Sequence, residues 1–215
     1  MKNISSIIIP VKDEPLLTFL IEEIELYLPS TPHEIIIITS DKAKNPLLCI
    51  PDNIKIYKSY ADSLERSILL GFSVAEGDKI IVMDGDGSHL PQLLPKIIKE
   101  LNSFEMVVAS RFVKTGQYLT SPIRKLITYI FTQYAKLMGS TLSDPMSGYF
   151  GIQTQLLQKI KFKPYTWKTA LEISNKLRPT TFEIPLTFKN RKVGKSKTNW
   201  KIGLKILLDI TAGAL

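Results

Sequence analysis

The chain has 215 residues, of which 44% are hydrophobic and 22% charged, which suits one α/β domain with a sizeable core and argues against general disorder. A single cysteine, Cys49, excludes an internal disulfide and favours a reducing compartment, and two histidines leave little room for a histidine metal centre. The net charge of +8 favours a polyanionic partner, whether nucleic acid, anionic lipid or a phosphorylated substrate.

Strand-length apolar runs alternate with helix-period segments through the first half of the chain. Strands are predicted at residues 4–9, 34–39, 54–57, 79–83 and 106–109, and helices at residues 15–28, 61–75 and 93–101. This alternation predicts an α/β fold in which helices cover both faces of a mostly parallel sheet. No run of about 18 apolar residues appears, so no membrane-spanning helix is predicted.

The second half contains one long helical pattern, at residues 122–138. Its apolar face comprises Ile123, Leu126, Ile127, Ile130, Phe131, Tyr134 and Met138. The face would either lie in a membrane interface, with Arg124 and Lys125 toward the headgroups, or pack on the sheet, and periodicity alone leaves both open. A late strand is predicted at residues 181–188.

The C-terminal part is first basic and then amphipathic. Residues 189–205 carry seven lysines and arginines, and residues 202–215 are apolar apart from Lys205 and Asp209 and a few small residues. We therefore expect one domain over residues 1–200 and a membrane-proximal tail over residues 201–215.

Asp84, Gly85 and Asp86 directly follow a predicted strand, at the edge of the sheet where ligands of α/β proteins bind. Mg²⁺ and Mn²⁺ prefer oxygen ligands, typically one or two carboxylates together with the phosphates of a substrate. Two aspartates around a glycine supply such ligands for a diphosphate that must leave. The same tripeptide is also common in ordinary turns, so the pattern is weak by itself.

Two further motifs have both a functional and a structural interpretation. Residues 143–150, Ser-Asp-Pro-Met-Ser-Gly-Tyr-Phe, are typical of a tight turn that enters a strand. Residues 191–197, Arg-Lys-Val-Gly-Lys-Ser-Lys, are either a solvated basic loop or a loop that wraps a diphosphate, since arginine binds phosphate oxygens in pairs. The spacing of a Walker loop is absent.

The motifs occur in an order that resembles one protein family. The set is Pro10-Val11-Lys12-Asp13-Glu14, Asp84-Gly85-Asp86-Gly87-Ser88-His89-Leu90-Pro91, Ala109-Ser110-Arg111-Phe112, Asp144-Pro145-Met146-Ser147-Gly148-Tyr149, Glu183-Ile184-Pro185-Leu186 and Arg191 to Lys197. It is similar to the dolichyl-phosphate mannose synthase group of family-two glycosyltransferases, which have the GT-A fold. The resemblance covers nearly the whole chain, and its specificity lies in the order of the motifs.

The resemblance implies roles for named residues on the side of the sugar donor. Pro10, Val11 and Glu14 would line the nucleotide pocket, and Asp84 and Asp86 would hold Mg²⁺ or Mn²⁺ against the diphosphate. The other expected donor-binding residues are Asp41, Gly85, Ser88, Arg191 and Lys197, of which the last two belong to a basic loop that closes over the phosphates.

The resemblance also implies an acceptor site. Arg111, Arg124 and Thr128 match positions that bind the phosphate of the acceptor, and Asp144 matches the aspartate that faces the sugar. A phosphate oxygen is already ionised at neutral pH, so the reaction needs no strong general base. We therefore expect Asp86, Asp144, Arg111 and Arg124 to act by position and charge.

Two segments depart from the family pattern. The second strand of the family usually ends in paired aspartates, whereas here Thr39 and Ser40 precede a single Asp41. The glycine-rich stretch of the family is replaced by residues 62–67, Asp-Ser-Leu-Glu-Arg-Ser. Both segments would contact the nucleotide, so the base of the donor stays open.

The predicted function is inverting transfer of a sugar, mannose from GDP-mannose, to a polyprenyl or dolichyl phosphate at the cytoplasmic face of a membrane. The enzyme would be peripheral, or anchored if spanning helices follow in a longer chain. The alternatives are a UDP-sugar donor and a non-catalytic relative. A nucleotidyltransferase is disfavoured because residues 9–13 lack its glycine- and arginine-rich loop, and no nucleic-acid-binding motif is present.

Overall fold

The computed structural model describes residues 4–12, 14–40, 51, 54–60, 63–162 and 168–189. Its strands are β1 Ser5–Val11, β2 His33–Ser40, β3 Lys55–Ser59, β4 Lys79–Val82, β5 Met106–Ser110, β6 Gln117–Leu119, β7 Phe150–Gln153, β8 Thr181–Pro185 and β9 Thr187–Lys189. Its α-helices are α1 Leu17–Tyr27, α2 Leu64–Val74, α3 Leu94–Glu100, α4 Pro122–Leu137 and α5 Thr169–Leu177. Short 3₁₀ helices lie at Pro91–Leu93 and Thr154–Lys159.

Seven strands form the central sheet in the order β3-β2-β1-β4-β7-β5-β8. Every neighbouring pair is parallel except those made by β7, which runs antiparallel to both β4 and β5. Along β1, Ile7 and Ile9 pack against α1, whereas Ile8 packs on the opposite face with Ile68 of α2. Successive strand side chains point to opposite faces, so both faces are buried and the run is continuously apolar. The predicted fold class is confirmed.

The predicted strand at residues 181–188 is wrong as a single element. β8 lies beside β5 in the central sheet, whereas β9 pairs with β6 in a separate two-stranded sheet. The two strands divide at Leu186, whose N–H donates to the Ser110 carbonyl at 2.8 Å and whose carbonyl accepts from the Gln117 N–H at 2.9 Å. Leu186 thus links the two sheets, which directs the chain from one to the other.

β6 and α5 went unpredicted, and for β7 only the turn that enters it was predicted. β7 has only four residues, and Gly151 at its centre interrupts any apolar pattern. A Cβ at Gly151 would lie 2.7 Å from Cγ2 of Ile97, so the missing side chain is what lets α3 pack onto the sheet. The turn expected before a strand at residues 143–150 is confirmed, because the Ser147 N–H donates to the Asp144 carbonyl at 3.1 Å just before β7.

Helix α4 begins after Ser121, whose hydroxyl accepts a hydrogen bond from the Arg124 N–H at 3.4 Å. Only Thr132 and Ala135 are buried in it, and Phe131 and Tyr134 pack against a small cluster of Ala135, Met146 and Leu171. The rest of the predicted apolar face is exposed to solvent: Ile123, Leu126, Ile127, Ile130 and Met138. Packing on the protein therefore accounts for only the inner edge of this face.

The amphipathic helix does not reach the length or hydropathy of a membrane span, and neither does any other helix among the described residues.

Candidate functional site

The two aspartates predicted to bind a metal lie beyond the carboxyl end of β4. Met83 still donates its N–H to the Ile8 carbonyl at 3.1 Å, and the chain leaves the sheet there. The side chain of Asp84 is 36% exposed, whereas Asp86 is buried and accepts a hydrogen bond from the Ser88 N–H at 2.9 Å on Oδ1. One carboxylate is thus accessible to a ligand, and the other is held by the turn.

Gly85 brings this turn against the end of β1. A Cβ at Gly85 would lie 2.7 Å from Cγ1 of Val11 and 3.7 Å from Cγ of Glu14. A side chain at this position would therefore push the two loops apart. The structure places Val11 and Glu14, two of the predicted nucleotide-pocket residues, beside Gly85.

His89 holds the main chain of Asp84 from behind. Its Nδ1 accepts a hydrogen bond from the Asp84 N–H at 2.8 Å, and its ring stacks on Tyr149 with centroids 4.9 Å apart. Burial lowers the pKa of His89 although the charges of Asp84 and Asp86 oppose this effect. Because Nδ1 accepts a hydrogen bond, the ring is neutral with its proton on Nε2, which lies 3.6 Å from Oδ2 of Asp84. No feature of the sequence predicted this support of Asp84 by His89.

Arg111 and Asp144 form a buried ion pair at two points. Nε donates to Oδ2 at 2.7 Å and Nη2 to Oδ1 at 2.6 Å, and the Arg111 N–H adds a third hydrogen bond to Oδ2 at 3.0 Å. Burial lowers the pKa of Arg111, but the hydrogen bonds and charge of Asp144 outweigh it, so that the pKa is raised. The two residues were predicted to face the acceptor and the sugar separately, and the structure joins them.

Three aromatic rings surround the guanidinium group of Arg111. Its Cζ lies 4.4 Å from the ring centroid of Tyr118, 5.3 Å from that of Phe112 and 5.7 Å from that of Phe188. The Tyr118 hydroxyl in turn lies 3.1 Å from Oγ1 of Thr128 on α4. Stacking of this kind orients a planar guanidinium in addition to its ion pair.

Lys168, just before α5, is a second cation of the site, and no sequence motif indicated it. Its Nζ donates to the Met146 carbonyl at 2.9 Å, in the loop that carries Asp144. Burial lowers its pKa, as do the charges of Arg111 and Arg124, while Asp84 and Asp144 oppose the change. The charges of Asp84, Asp144, Arg111 and Arg124 thus all act on this lysine.

Arg124 and Thr128 lie one turn apart on the partly buried side of α4, in line with Thr132 and Ala135. The structure describes most of the predicted site residues, namely Pro10, Val11, Glu14, Asp84, Gly85, Asp86, Ser88, Arg111, Arg124, Thr128 and Asp144. Asp41, Arg191 and Lys197 lie outside the described residues, as do Cys49 and the tail over residues 201–215. The functional roles of these residues stay predictions.

The donor set at Asp84 and Asp86 fits a hard divalent cation. No group of three or more histidine, cysteine, aspartate or glutamate side chains converges anywhere in the described part of the chain. Two carboxylates completed by substrate oxygens are, however, the usual way in which proteins bind Mg²⁺. The exposed carboxylate of Asp84 and the space opposite, where Gly148 has no side chain, leave room for such a substrate.

The fold is that of the GT-A glycosyltransferases. The structure of glucosyl-3-phosphoglycerate synthase from Mycobacterium tuberculosis, in complex with Mn²⁺, UDP-glucose and phosphoglyceric acid, superposes with a TM-score of 0.75 at 15% identity. That comparison covers 99% of this chain and 80% of the synthase. Residues 6–161 match Glycosyl transferase family 2, and the chain belongs to this family of glycosyltransferases.

Three relatives are similar to this chain in sequence over most of its length. The chain is 30% identical to a dolichol-phosphate mannosyltransferase of Pyrococcus furiosus, over 95% of this chain and 62% of the relative. It is 28% identical to an undecaprenyl-phosphate mannosyltransferase of Micrococcus luteus, over 74% and 70%. For a dolichol-phosphate mannosyltransferase of Saccharomyces cerevisiae the identity is 29%, over 72% and 62%. The chain thus spans about three fifths of the length of two of these relatives.

Proposed function

We propose that the protein transfers a sugar from a nucleoside-diphosphate donor, GDP-mannose in the first instance, to a polyprenyl phosphate. One observation carries the proposal: the partly exposed carboxylate of Asp84 stands at the carboxyl end of β4, with His89 behind it and, opposite it, Gly148 of the loop in which Asp144 pairs with Arg111. The similarity to mannosyltransferases that are named for dolichol phosphate and undecaprenyl phosphate supports the acceptor class.

On the donor side, Val11 and Glu14 would contact the nucleotide where Gly85 brings β1 and the turn together. Asp84 and Asp86 would hold Mg²⁺ or Mn²⁺, which when bound supplies positive charge next to the departing diphosphate. Ser88 keeps Asp86 in place through its N–H, and His89 does the same for the backbone of Asp84. These residues position a ligand without giving or taking a proton.

On the acceptor side, a phosphate oxygen forms the new bond to the anomeric carbon while the bond from that carbon to the donor diphosphate breaks. Attack from the face opposite the leaving group inverts the anomeric centre. The oxygen is ionised at neutral pH, so no side chain has to remove a proton. What the protein has to supply is the alignment of two anions, which repel one another.

Positive charge for these anions comes from several groups. Asp144 neutralises much of the charge of Arg111, so Arg111 contributes mainly the direction of its N–H groups. Arg124 and Lys168 supply further positive charge from α4 and from the start of α5. We assign Arg191 and Lys197 the same part on the donor phosphates, by the sequence motif alone.

The exposed apolar residues of α4 are proposed to enter the interface of the membrane that holds the acceptor. Ile123, Leu126, Ile127 and Ile130 face solvent on one side of α4, and Arg124 and Thr128 lie on the other side. A helix that lies in the interface would thereby hold its two acceptor-binding residues at the level of the lipid phosphate. We propose a peripheral position on the cytoplasmic face, with the tail over residues 201–215 as a second contact.

The proposal is tested by measuring thermal stability with GDP-mannose and UDP-glucose, each with and without Mn²⁺, followed by transfer to a short polyprenyl phosphate. A bound donor raises the melting temperature by mass action, and we expect the rise to need both the metal and Asp84. Asp84→Asn should abolish the rise and the transfer. Asp78→Asn, at the opposite end of β4, is the matched control and should retain both.

A melting temperature that no donor changes would contradict the proposal as a whole. A response to UDP-glucose alone would replace the donor, and a donor response without transfer to polyprenyl phosphate would refute the acceptor. Transfer that survives Asp84→Asn would remove Asp84 from the site.

A further inference from the structure

Tyr118 occupies a central place in the small sheet formed by β6 and β9. It pairs with Phe188 in the register of the two strands, and the rings of the two residues meet edge to face with centroids 5.5 Å apart. The Phe112 ring approaches at 6.2 Å in the same manner. The Gln117 N–H, which donates to the Leu186 carbonyl, attaches this sheet to the chain that leaves β8. These contacts therefore hold the Tyr118 ring in one position.

Two polar groups from different parts of the fold meet Tyr118. The guanidinium of Arg111 lies over the face of the ring at 4.4 Å, and Oγ1 of Thr128 lies 3.1 Å from the hydroxyl at its far end. Tyr118 thus spans the gap between the end of β5 and the second turn of α4. Asp144 binds the edge of the Arg111 guanidinium through hydrogen bonds, and the Tyr118 ring packs against its face. A planar cation held on both an edge and a face has little rotational freedom left.

We propose that Tyr118 is a positioning residue for the acceptor phosphate, which it serves by keeping Arg111 and Thr128 at a constant separation. The inference rests on the proposed function, because it assigns Arg111 and Thr128 to that phosphate. Tyr118 itself does not contact the reacting atoms. It couples the helix that carries the exposed apolar face to the ion pair of the site, so that α4 and Arg111 move together.

Two substitutions separate the hydroxyl from the ring. Tyr118→Phe removes the hydroxyl, with its hydrogen bond to Thr128 and its interaction with Arg111, and retains the ring under Arg111. We expect the KM for polyprenyl phosphate to rise about three- to tenfold, the range that follows from the loss of one hydrogen bond. Tyr118→Leu also removes the stacking, and we expect a larger rise together with a fall in kcat. The KM for the sugar donor should change less than about twofold in both variants, because Tyr118 lies on the acceptor side.

The experiment measures both KM values and kcat for the wild type, Tyr118→Phe, Thr128→Val and the double variant, with thermal unfolding recorded for each. If the two hydroxyls act through one hydrogen bond, Tyr118→Phe will have a smaller effect once Thr128 is valine than it has in the wild type. Thr128→Ser retains a hydroxyl and should restore most of the acceptor affinity. Tyr27→Phe, at the end of α1, is the matched control and should behave as the wild type.

The outcomes distinguish the inference from the function on which it rests. A wild type that transfers no sugar refutes the proposed function. A wild type that transfers sugar, with Tyr118→Phe unchanged in acceptor KM or equally impaired for donor and acceptor, overturns the inference alone. Additive effects of Tyr118→Phe and Thr128→Val also overturn it, since independent effects mean that the two hydroxyls do not act on each other.

Discussion

Arg111 and Asp144 lie 33 positions apart in the chain and meet as a buried two-point ion pair, with contacts of 2.7 and 2.6 Å. The pair ties the end of β5 to the turn that precedes β7. Both partners are almost completely buried. The loss of either one would leave a buried charge without compensation, at a large cost in free energy. The pair therefore fixes these two segments relative to one another.

We expect Asp144→Ala to lower the free energy of unfolding by about 3–5 kcal/mol, because it leaves a buried guanidinium without its partner. The double variant Arg111→Met with Asp144→Leu should recover much of this stability and still lack transfer. Urea unfolding and transfer assays of both variants check the two statements. A double variant that regains activity together with stability would reduce the pair to a structural role.

Gly148→Ala is expected to impair donor binding without affecting the fold. The added Cβ would lie 3.6 Å from Cε1 of His89 and 4.0 Å from each carboxylate oxygen of Asp84, which is ordinary contact, so the free energy of unfolding should change by less than about 1 kcal/mol. The methyl group would occupy space beside the carboxylate, and we expect the donor affinity to fall roughly tenfold or more. Calorimetric titration with GDP-mannose and Mn²⁺ measures it.

Gly151→Ala is the contrasting variant, because its Cβ would lie 2.7 Å from Cγ2 of Ile97 in the core. It should lower the stability and leave the donor affinity of the folded protein unchanged. Equal donor affinities of Gly148→Ala and the wild type would show that the space opposite Asp84 is not used by the donor.

The outer face of α4 offers a direct test of membrane association. Leu126 is 59% exposed, so Leu126→Glu should leave the free energy of unfolding within about 0.5 kcal/mol of the wild type. The loss of the leucine side chain from a membrane interface should weaken binding to anionic vesicles roughly tenfold. An apolar side chain of this size contributes about 1.5–3 kcal/mol when it is fully buried. Vesicle sedimentation measures the partition.

The matched control for that experiment is Leu26→Glu, on α1, where the leucine is 71% exposed and remote from α4 in sequence. It should bind vesicles as the wild type does. A loss of stability on Leu126→Glu, with vesicle binding unchanged, would mean that protein rather than lipid covers this face.

The acid stability of the sheet edge should depend on Glu34. Burial tends to raise the pKa of its carboxyl, but hydrogen bonds from Lys55, Ser6 and the Glu76 N–H, with the charge of Lys55, lower it below the ordinary 4.5. A lowered pKa in the folded state means that the contribution to stability is complete above pH 4.5 and is lost as the pH falls below that value. Lys55 is a third exposed, so we expect only about 1 kcal/mol.

Glu34→Gln should thus be less stable than the wild type at pH 7, and the difference should shrink between pH 4.5 and 3. Urea unfolding across this range checks the expectation, with Glu23→Gln on the exposed side of α1 as the control. A difference that stays constant with pH would show that the charge of Glu34 contributes nothing to stability.

The strands of the first half were predictable because each is a local pattern. An uninterrupted apolar run such as Ile7 to Ile9 identifies a strand buried on both faces, and Asp84 follows β4 within two residues. The ends of parallel strands share one edge of the sheet, so this spacing also located the aspartates at that edge. β7 could not be predicted in the same way, because it is short and its glycine is explained only by the helix that packs on it.

The sequence by itself determined the α/β class, the place of Asp84 and Asp86 at the sheet edge, and the amphipathic character of α4. Only the tertiary structure decided that Arg111 pairs with Asp144, that His89 supports Asp84, that Tyr118 joins Arg111 to Thr128, and which part of the α4 face is covered. The physical reason is one of range. Hydrophobic periodicity and turn chemistry act between near neighbours, whereas these contacts join side chains whose meeting depends on how the whole sheet is assembled.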